Sequence, residues 1–250
     1  MDGAVAVLTL QAAPYNLLDH AMCEEIVAAL DWAREQGARA VVLRSALRHF
    51  SAGADLDGML EAVERTGGAI DWQLTEVLEA FNSFPAPIVA SVHGVCVGGG
   101  FELVLASDIS VVAASAKLGS VEVTVGLHPL MGGIQRLVQR AGEARGKEMA
   151  MLGRRYDAAT LERWGVINKV VADEHLAAAT MTLAQELAHG PTLCHAATKK
   201  LAAITVSDGV AAADAAMADV QAAIFQSADF RTGVTSYREK GLGQARFEGR

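Results

Sequence analysis

From Ala80 to Phe101 the chain carries no formal charge, and the stretch runs through the glycine triplet Gly98-Gly99-Gly100 to meet Glu102. Its length alone could cross a bilayer. Pro85, Pro87, His93 and the glycines interrupt it, however, so it reads as a buried strand followed by a loop. Ile88 to Val92 is the strand, Pro85-Ala86-Pro87 closes the helix before it, and the triplet opens a helix over about Phe101 to Ser107. Ile109 to Ala113 is the next apolar strand.

The same alternation continues upstream. Ala4 to Leu10 is a β-branched apolar run, and Asp19 can cap a helix that stops near Gln36-Gly37, with Met22, Ile26 and Leu30 on one face. Ala40 to Leu43 is a short strand. A glycine-containing loop at 51–54 follows, then a helix from Asp55 to about Arg65, an interruption at Gly67-Gly68, and a helix expected over Ile70 to Phe81. Strands alternating with helices argue an α/β core. From about Asp173 the pattern is helical and alanine-rich, broken near Gly190-Pro191 and Ser207-Asp208-Gly209. Helices with such narrow apolar faces pack on a partner, here a second copy of the chain.

At 250 residues with 52% hydrophobic and 20% charged residues, the chain can bury a large core. A formal charge of −8 argues against nucleic-acid or anionic-membrane partners. Cys23, Cys96 and Cys194 are odd in number and widely spaced, which suits neither a disulfide framework nor a metal site and fits a reducing cytoplasm. Met1-Asp2-Gly3 is acidic where a secretory signal is basic.

Two segments carry the chemistry. Ser51-Ala52-Gly53-Ala54-Asp55-Leu56 and Gly98-Gly99-Gly100-Phe101-Glu102 both contain small residues that let a backbone approach a ligand closely. The second also lies at a helix N-terminus, which bears about half a positive charge. Two N–H groups, one from each segment, could meet one carbonyl oxygen and stabilise it as an oxyanion. No Lys-Ser/Thr pair follows the triplet and the dinucleotide spacing is absent, so this is neither a phosphate loop nor a dinucleotide fold. Glu102 follows closely and Glu122 comes twenty residues later, without basic neighbours. Both are candidates for acid–base work.

In this order and spacing the segments resemble the enoyl-CoA hydratase/isomerase (crotonase) superfamily. The matching pieces also include Pro87 to Gly94, Ala106-Ser107-Asp108-Ile109, Glu122 to Gly126, Gly133 to Leu137 and Phe247 to Arg250, so the resemblance spans nearly the whole chain. It implies an α/β fold built as a spiral of ββα units over residues 1–190, with a helical oligomerisation region at 191–250. It implies a homotrimer or homohexamer, and an acyl-CoA substrate whose coenzyme A is the only cofactor, with no metal.

By motif position the oxyanion donors are the backbone N–H groups of Ala54 and Gly99. Ala52, Gly53, Asp55, Leu56, Gly98 and Leu130 are expected to line the substrate. Two-glutamate members add water to C3 of a trans-2-enoyl-CoA, with Glu102 as the base toward water and Glu122 as the acid toward C2. Neighbouring carboxylates are expected to titrate together with one pKa raised. The resemblance also implies that Met59, Leu60, Ile70, Trp72 and Leu74 wall the acyl tunnel, although the same residues would serve as ordinary core.

Three positions depart from the family pattern. Leu130 stands where a glycine commonly lines the water site, so it is expected to crowd that water. Asp57 replaces a common basic residue, and Gln11-Ala12-Ala13-Pro14 lacks a common arginine, which leaves Arg48 and Lys240 as weak candidates for the CoA phosphates. The rival activity is isomerisation, or another reaction through an acyl-CoA enolate. An RNA-binding role is disfavoured because the segment Asp71 to Ala80 has acids and no lysine. His93, in a His-Gly pair at a strand end, is expected to be a structural hydrogen-bonder.

Overall fold

The computed structural model describes residues 1–250. Strand β1 (Val5–Leu10) leads through helix α1 (His20–Glu35) to β2 (Ala40–Ser45), and then through α2 (Leu56–Thr66) and α3 (Leu74–Ser83) to β3 (Ile88–Val92). Next come β4 (Val95–Val97), α4 (Gly99–Ala106), β5 (Ile109–Ala113) and β6 (Lys117–Gly119). A 3-10 turn at Glu122–Val125 precedes α5 (Gly133–Leu152), which kinks at Gly142. The chain continues with β7 (Tyr156–Asp157), α6 (Ala158–Arg163) and β8 (Lys169–Val171), and finishes with α7 (Leu176–Ala188), α8 (Thr192–Asp208), α9 (Val210–Gln226) and α10 (Ala228–Lys240).

Strands β1, β2, β3, β5 and β8 form one sheet in that order, and every pairing in it is parallel. Strands β4, β6 and β7 form a second, smaller sheet. The chain therefore visits the large sheet, then the small one, then a helix, twice over: β3-β4-α4 and β5-β6-α5. That is the expected ββα spiral. Parallel strands covered on both faces read as continuous apolar runs, and all five residues of β3 are buried. In β2 the alternation still sorts the faces. Val41 and Leu43 join Ile26, Leu30 and Phe81 of α1 and α3, whereas Ala40 and Val42 meet Ala184 and Ala188 of α7.

The α1 expectation holds in detail, because Asp19 Oδ1 accepts the Met22 N–H at 2.7 Å and Met22, Ile26 and Leu30 are buried. The helix expected over Ile70 to Phe81 begins later, at Leu74. Gly67 and Gly68 both take positive φ, and Arg65 Nη2 then donates to both carboxylate oxygens of Asp71 at 2.8 and 2.7 Å, so 67–73 is a braced loop. Helix α4 starts two residues early, at Gly99. Strands of two or three residues such as β4, β6, β7 and β8 are too short for periodicity to register. Cys23 and Cys96 are core residues, but Cys194 is only half-buried.

Helix α8 and the segment after α10 are tied to the core by charged side chains. Arg39 donates to Thr192 Oγ1, Gly190 O and Phe247 O at 3.0, 2.6 and 3.0 Å. Lys199 Nζ reaches Asp108 Oδ2 at 2.7 Å, and Asp108 also accepts the Ile88 N–H at 2.7 Å. Lys199→Met keeps the aliphatic stem and removes the tie to a mostly buried carboxylate. We expect it to cost about 2 kcal/mol, between an exposed and a buried pair. An unchanged thermal midpoint would show that the Lys199–Asp108 pair does not hold α8.

Candidate active site

The first loop is set by a buried asparagine. Asn16, at φ 49°, donates through Nδ2 to Ser45 Oγ and Phe50 O at 2.8 and 2.9 Å, while its Oδ1 accepts the Ala12 N–H at 2.8 Å. Its carbonyl takes the Ser51 hydroxyl at 2.8 Å, and Ser51 Oγ accepts the Gly53 N–H at 3.1 Å. Leu18 then bridges the loop: its N–H donates to Gly53 O at 2.8 Å and its carbonyl accepts the Asp55 N–H at 2.8 Å. Bonds in a parallel bridge alternate along the chain, so Ala54 between them turns its own N–H to the other side. That N–H has no protein acceptor.

The second loop meets the first through backbone alone. At Gly53 (φ +100°) a Cβ would stand 3.3 Å from Val97 O, and at Gly98 (φ +55°) one would stand 3.4 Å from the Gly53 Cα. Only glycine takes these conformations cheaply and permits the approach. Gly98 N–H is bonded to Gly119 O at 3.1 Å. Gly99, as the first residue of α4, has no carbonyl within its helix to donate to. Ala54 and Gly99, each with an N–H that no carbonyl of the chain takes, both line one cavity.

Both glutamates line the same cavity. Glu102 is 4% exposed, and its Oε1 accepts the N–H groups of Met131 and Gly133 at 2.8 Å each, which leaves Oε2 for a further donor. Burial pushes its pKa up from 4.5 to about 7, the Gly133 and Met131 donors pull it back, and the nearby Glu122 charge adds to the rise. Glu122 Oε2 accepts the Ser120 hydroxyl at 2.7 Å, but its Oε1 is buried without a partner. A side chain on Gly98 would stand 3.8 Å from that oxygen, which places it beside the second loop. A buried carboxylate oxygen without a donor is costly unless it carries a proton or meets a bound molecule.

The cavity is about 110 Å³ and mostly apolar. Ala52, Gly53, Leu56, Gly98 and Leu130 line it as expected. Asp55 does not. It opens α2 and faces an outer groove shared with Asp19, Arg65 and Asp71. Met59, Trp72 and Leu74 are wall residues, whereas Leu60 is 60% exposed and Ile70 lies off the lining. Arg48 and Lys240 also lie off it. His93 is turned away to Leu47 O, with Nε2 at 2.7 Å, which fits a structural role.

The family model described as enoyl-CoA hydratase/isomerase matches residues 1–250. The chain belongs to the enoyl-CoA hydratase/isomerase family. A probable enoyl-CoA hydratase of Rhodobacter capsulatus is 36% identical over 238 residues, covering 94% of this chain and 92% of that protein. Among solved structures, enoyl-CoA hydratase subunit I of Geobacillus kaustophilus HTA426 superposes with a TM-score of 0.89 at 31% identity, covering 100% of this chain and 96% of that one. An enoyl-CoA hydratase of Polaromonas sp. JS666 gives a TM-score of 0.88 at 26% identity over 96% of this chain and 95% of that one.

Sequence reasoning missed several parts of this family member's site. Met131 and Gly133 act through backbone N–H groups, which no residue type announces. Ser120, two residues before Glu122, was legible as a neighbouring hydroxyl. Leu18, Leu127 and His128 also line the cavity outside the matching motifs, and Thr124 does so from within one. No helix is long and apolar enough to cross a membrane.

Proposed function

We propose that this enzyme hydrates trans-2-enoyl-CoA thioesters. The observation that carries the proposal is the convergence of Glu102 and Glu122 on a cavity that also receives two unpaired N–H groups. The thioester carbonyl would accept from Ala54 and Gly99, each donor contributing about 3 kcal/mol to the enolate-like transition state. Glu102, with its ionised form supported by two backbone donors and a pKa near 7, takes a proton from water as that water attacks C3. Glu122 delivers a proton to C2 from its otherwise unpartnered oxygen. The chemistry asks for no cofactor beyond the substrate's own CoA. We further propose a cytoplasmic homotrimer or homohexamer, assembled through residues 191–250 on a catalytic core of 1–190.

Leu130 favours one second reading. If its side chain displaces the water held at Glu102, the same acids would move a proton between C2 and C4 and isomerise a 3-enoyl-CoA. Loss of the conjugated-thioester absorbance on adding 2-enoyl-CoA, against its appearance from 3-enoyl-CoA, separates the two. We expect kcat/KM for hydration to rise with pH through about 7 as Glu102 ionises. A profile flat down to pH 5 would remove Glu102 as the base.

A further inference from the structure

We infer that Trp72 and Leu130 close the cavity around a short, uncharged acyl chain, so that long and ω-carboxylated enoyl thioesters are excluded. This rests on the hydratase reading and names its substrate class. Space is the first reason. At about 110 Å³ the cavity is smaller than the roughly 150 Å³ void that accepts one benzene ring. Trp72 forms the wall over the first turn of α2, where its ring lies 3.7 Å from the place a Gly58 side chain would occupy. The loop that carries Trp72 is held by Arg65 Nη2 on both carboxylate oxygens of Asp71 and by the Ala69 N–H on Thr66 Oγ1 at 2.9 Å. Leu130 forms the wall on the Glu102 side, where its own N–H faces the carboxylate and the next residue is bonded to it.

Charge is the second reason. Glu102 and Glu122 line the cavity, and no lysine or arginine does. Arg136 feels the Glu102 charge but turns its guanidinium to Gly132 O and Asn82 Oδ1 at 3.3 and 3.2 Å, outside the lining. His128 reaches the lining, but its Nδ1 is paired with Pro129 O at 2.8 Å. A carboxylate at the far end of an acyl chain would be desolvated against two acids with no cation to meet it.

The test is kcat/KM for but-2-enoyl-, hex-2-enoyl-, dec-2-enoyl- and glutaconyl-CoA in the wild-type protein, Trp72→Ala and Leu130→Gly. The expected wild-type preference for but-2-enoyl-CoA is at least about a hundredfold over both the ten-carbon and the carboxylated substrate. Either substitution should narrow the ten-carbon gap by about tenfold, through a gain on the long chain. Glutaconyl-CoA should stay poor in both variants, since neither adds a cation. If Trp72→Ala fails to fold, Leu130→Gly reads the same ratio. Unchanged ratios, or efficient hydration of all four thioesters, overturn this inference alone. Hydration of none of them by the wild type overturns the hydratase reading and this inference with it.

Discussion

Glu102→Gln is expected to abolish hydration and yet raise the stability of the fold above neutral pH. Loss of a general base costs at least about a hundredfold in turnover, while binding of an unreactive acyl-CoA survives because the carbonyl is held by backbone donors. The stability effect follows from burial. A carboxyl whose pKa rises from 4.5 to about 7 on folding takes up a proton in the folded state that the unfolded chain has released. Its ionisation penalty is absent below pH 4.5, grows as pH rises toward 7, and is constant beyond. Glutamine never carries that charge and keeps an oxygen for the Met131 and Gly133 donors. The variant should therefore match wild type near pH 4.5 and exceed it at pH 8 by about 3 kcal/mol. Thermal melts at the two pH values, beside a hydration assay, read both halves. Near-normal turnover would end the two-acid mechanism, and a variant less stable at pH 8 would show that Glu102 is not strained by its burial.

Removal of residues 191–250 is expected to leave a protein that aggregates or stays monomeric. The helices lost are α8, α9 and α10, which expose Val210, Phe225 and Tyr237 at 65%, 59% and 59%. Large apolar side chains left in water along these helices suit a surface that another copy covers. Deletion also strips Arg39 and Asp108 of the partners that Thr192, Phe247 and Lys199 supply. A milder variant separates assembly from folding. Phe225→Asp alters a side chain mostly in water in the single chain, where it keeps an edge contact with Phe230, so the protomer should fold with unchanged helicity while the proposed assembly dissociates. Light scattering measures the outcome. A soluble truncation that keeps the full-length oligomeric size would locate assembly elsewhere.

The amino-acid sequence by itself determined what depends on neighbours along the chain. Asp19 capping α1, the apolar spacing of Met22, Ile26 and Leu30, the buried run Ile88 to Val92 and the glycine-led start of α4 are local events, and each stands in the structure. The order of motifs was enough to find the family. One expected boundary slipped: the helix expected from Ile70 begins at Leu74, because the Arg65–Asp71 pair and two positive-φ glycines hold 70–73 in a loop. Asp55 sits inside a site motif and still points into a different groove.

Only the tertiary structure decided which groups are reactive. Ala54 has a free N–H because Leu18, far back in the chain, takes the bonds on either side of it. Glu102 has a pKa near 7 because its burial, helped by the nearby Glu122 charge, outweighs the backbone donors 29 and 31 residues away that pull it down. Residue type cannot announce either fact. Acidity and unpaired donors are set by desolvation and by who else claims the hydrogen bond, and both are properties of segments brought together by packing.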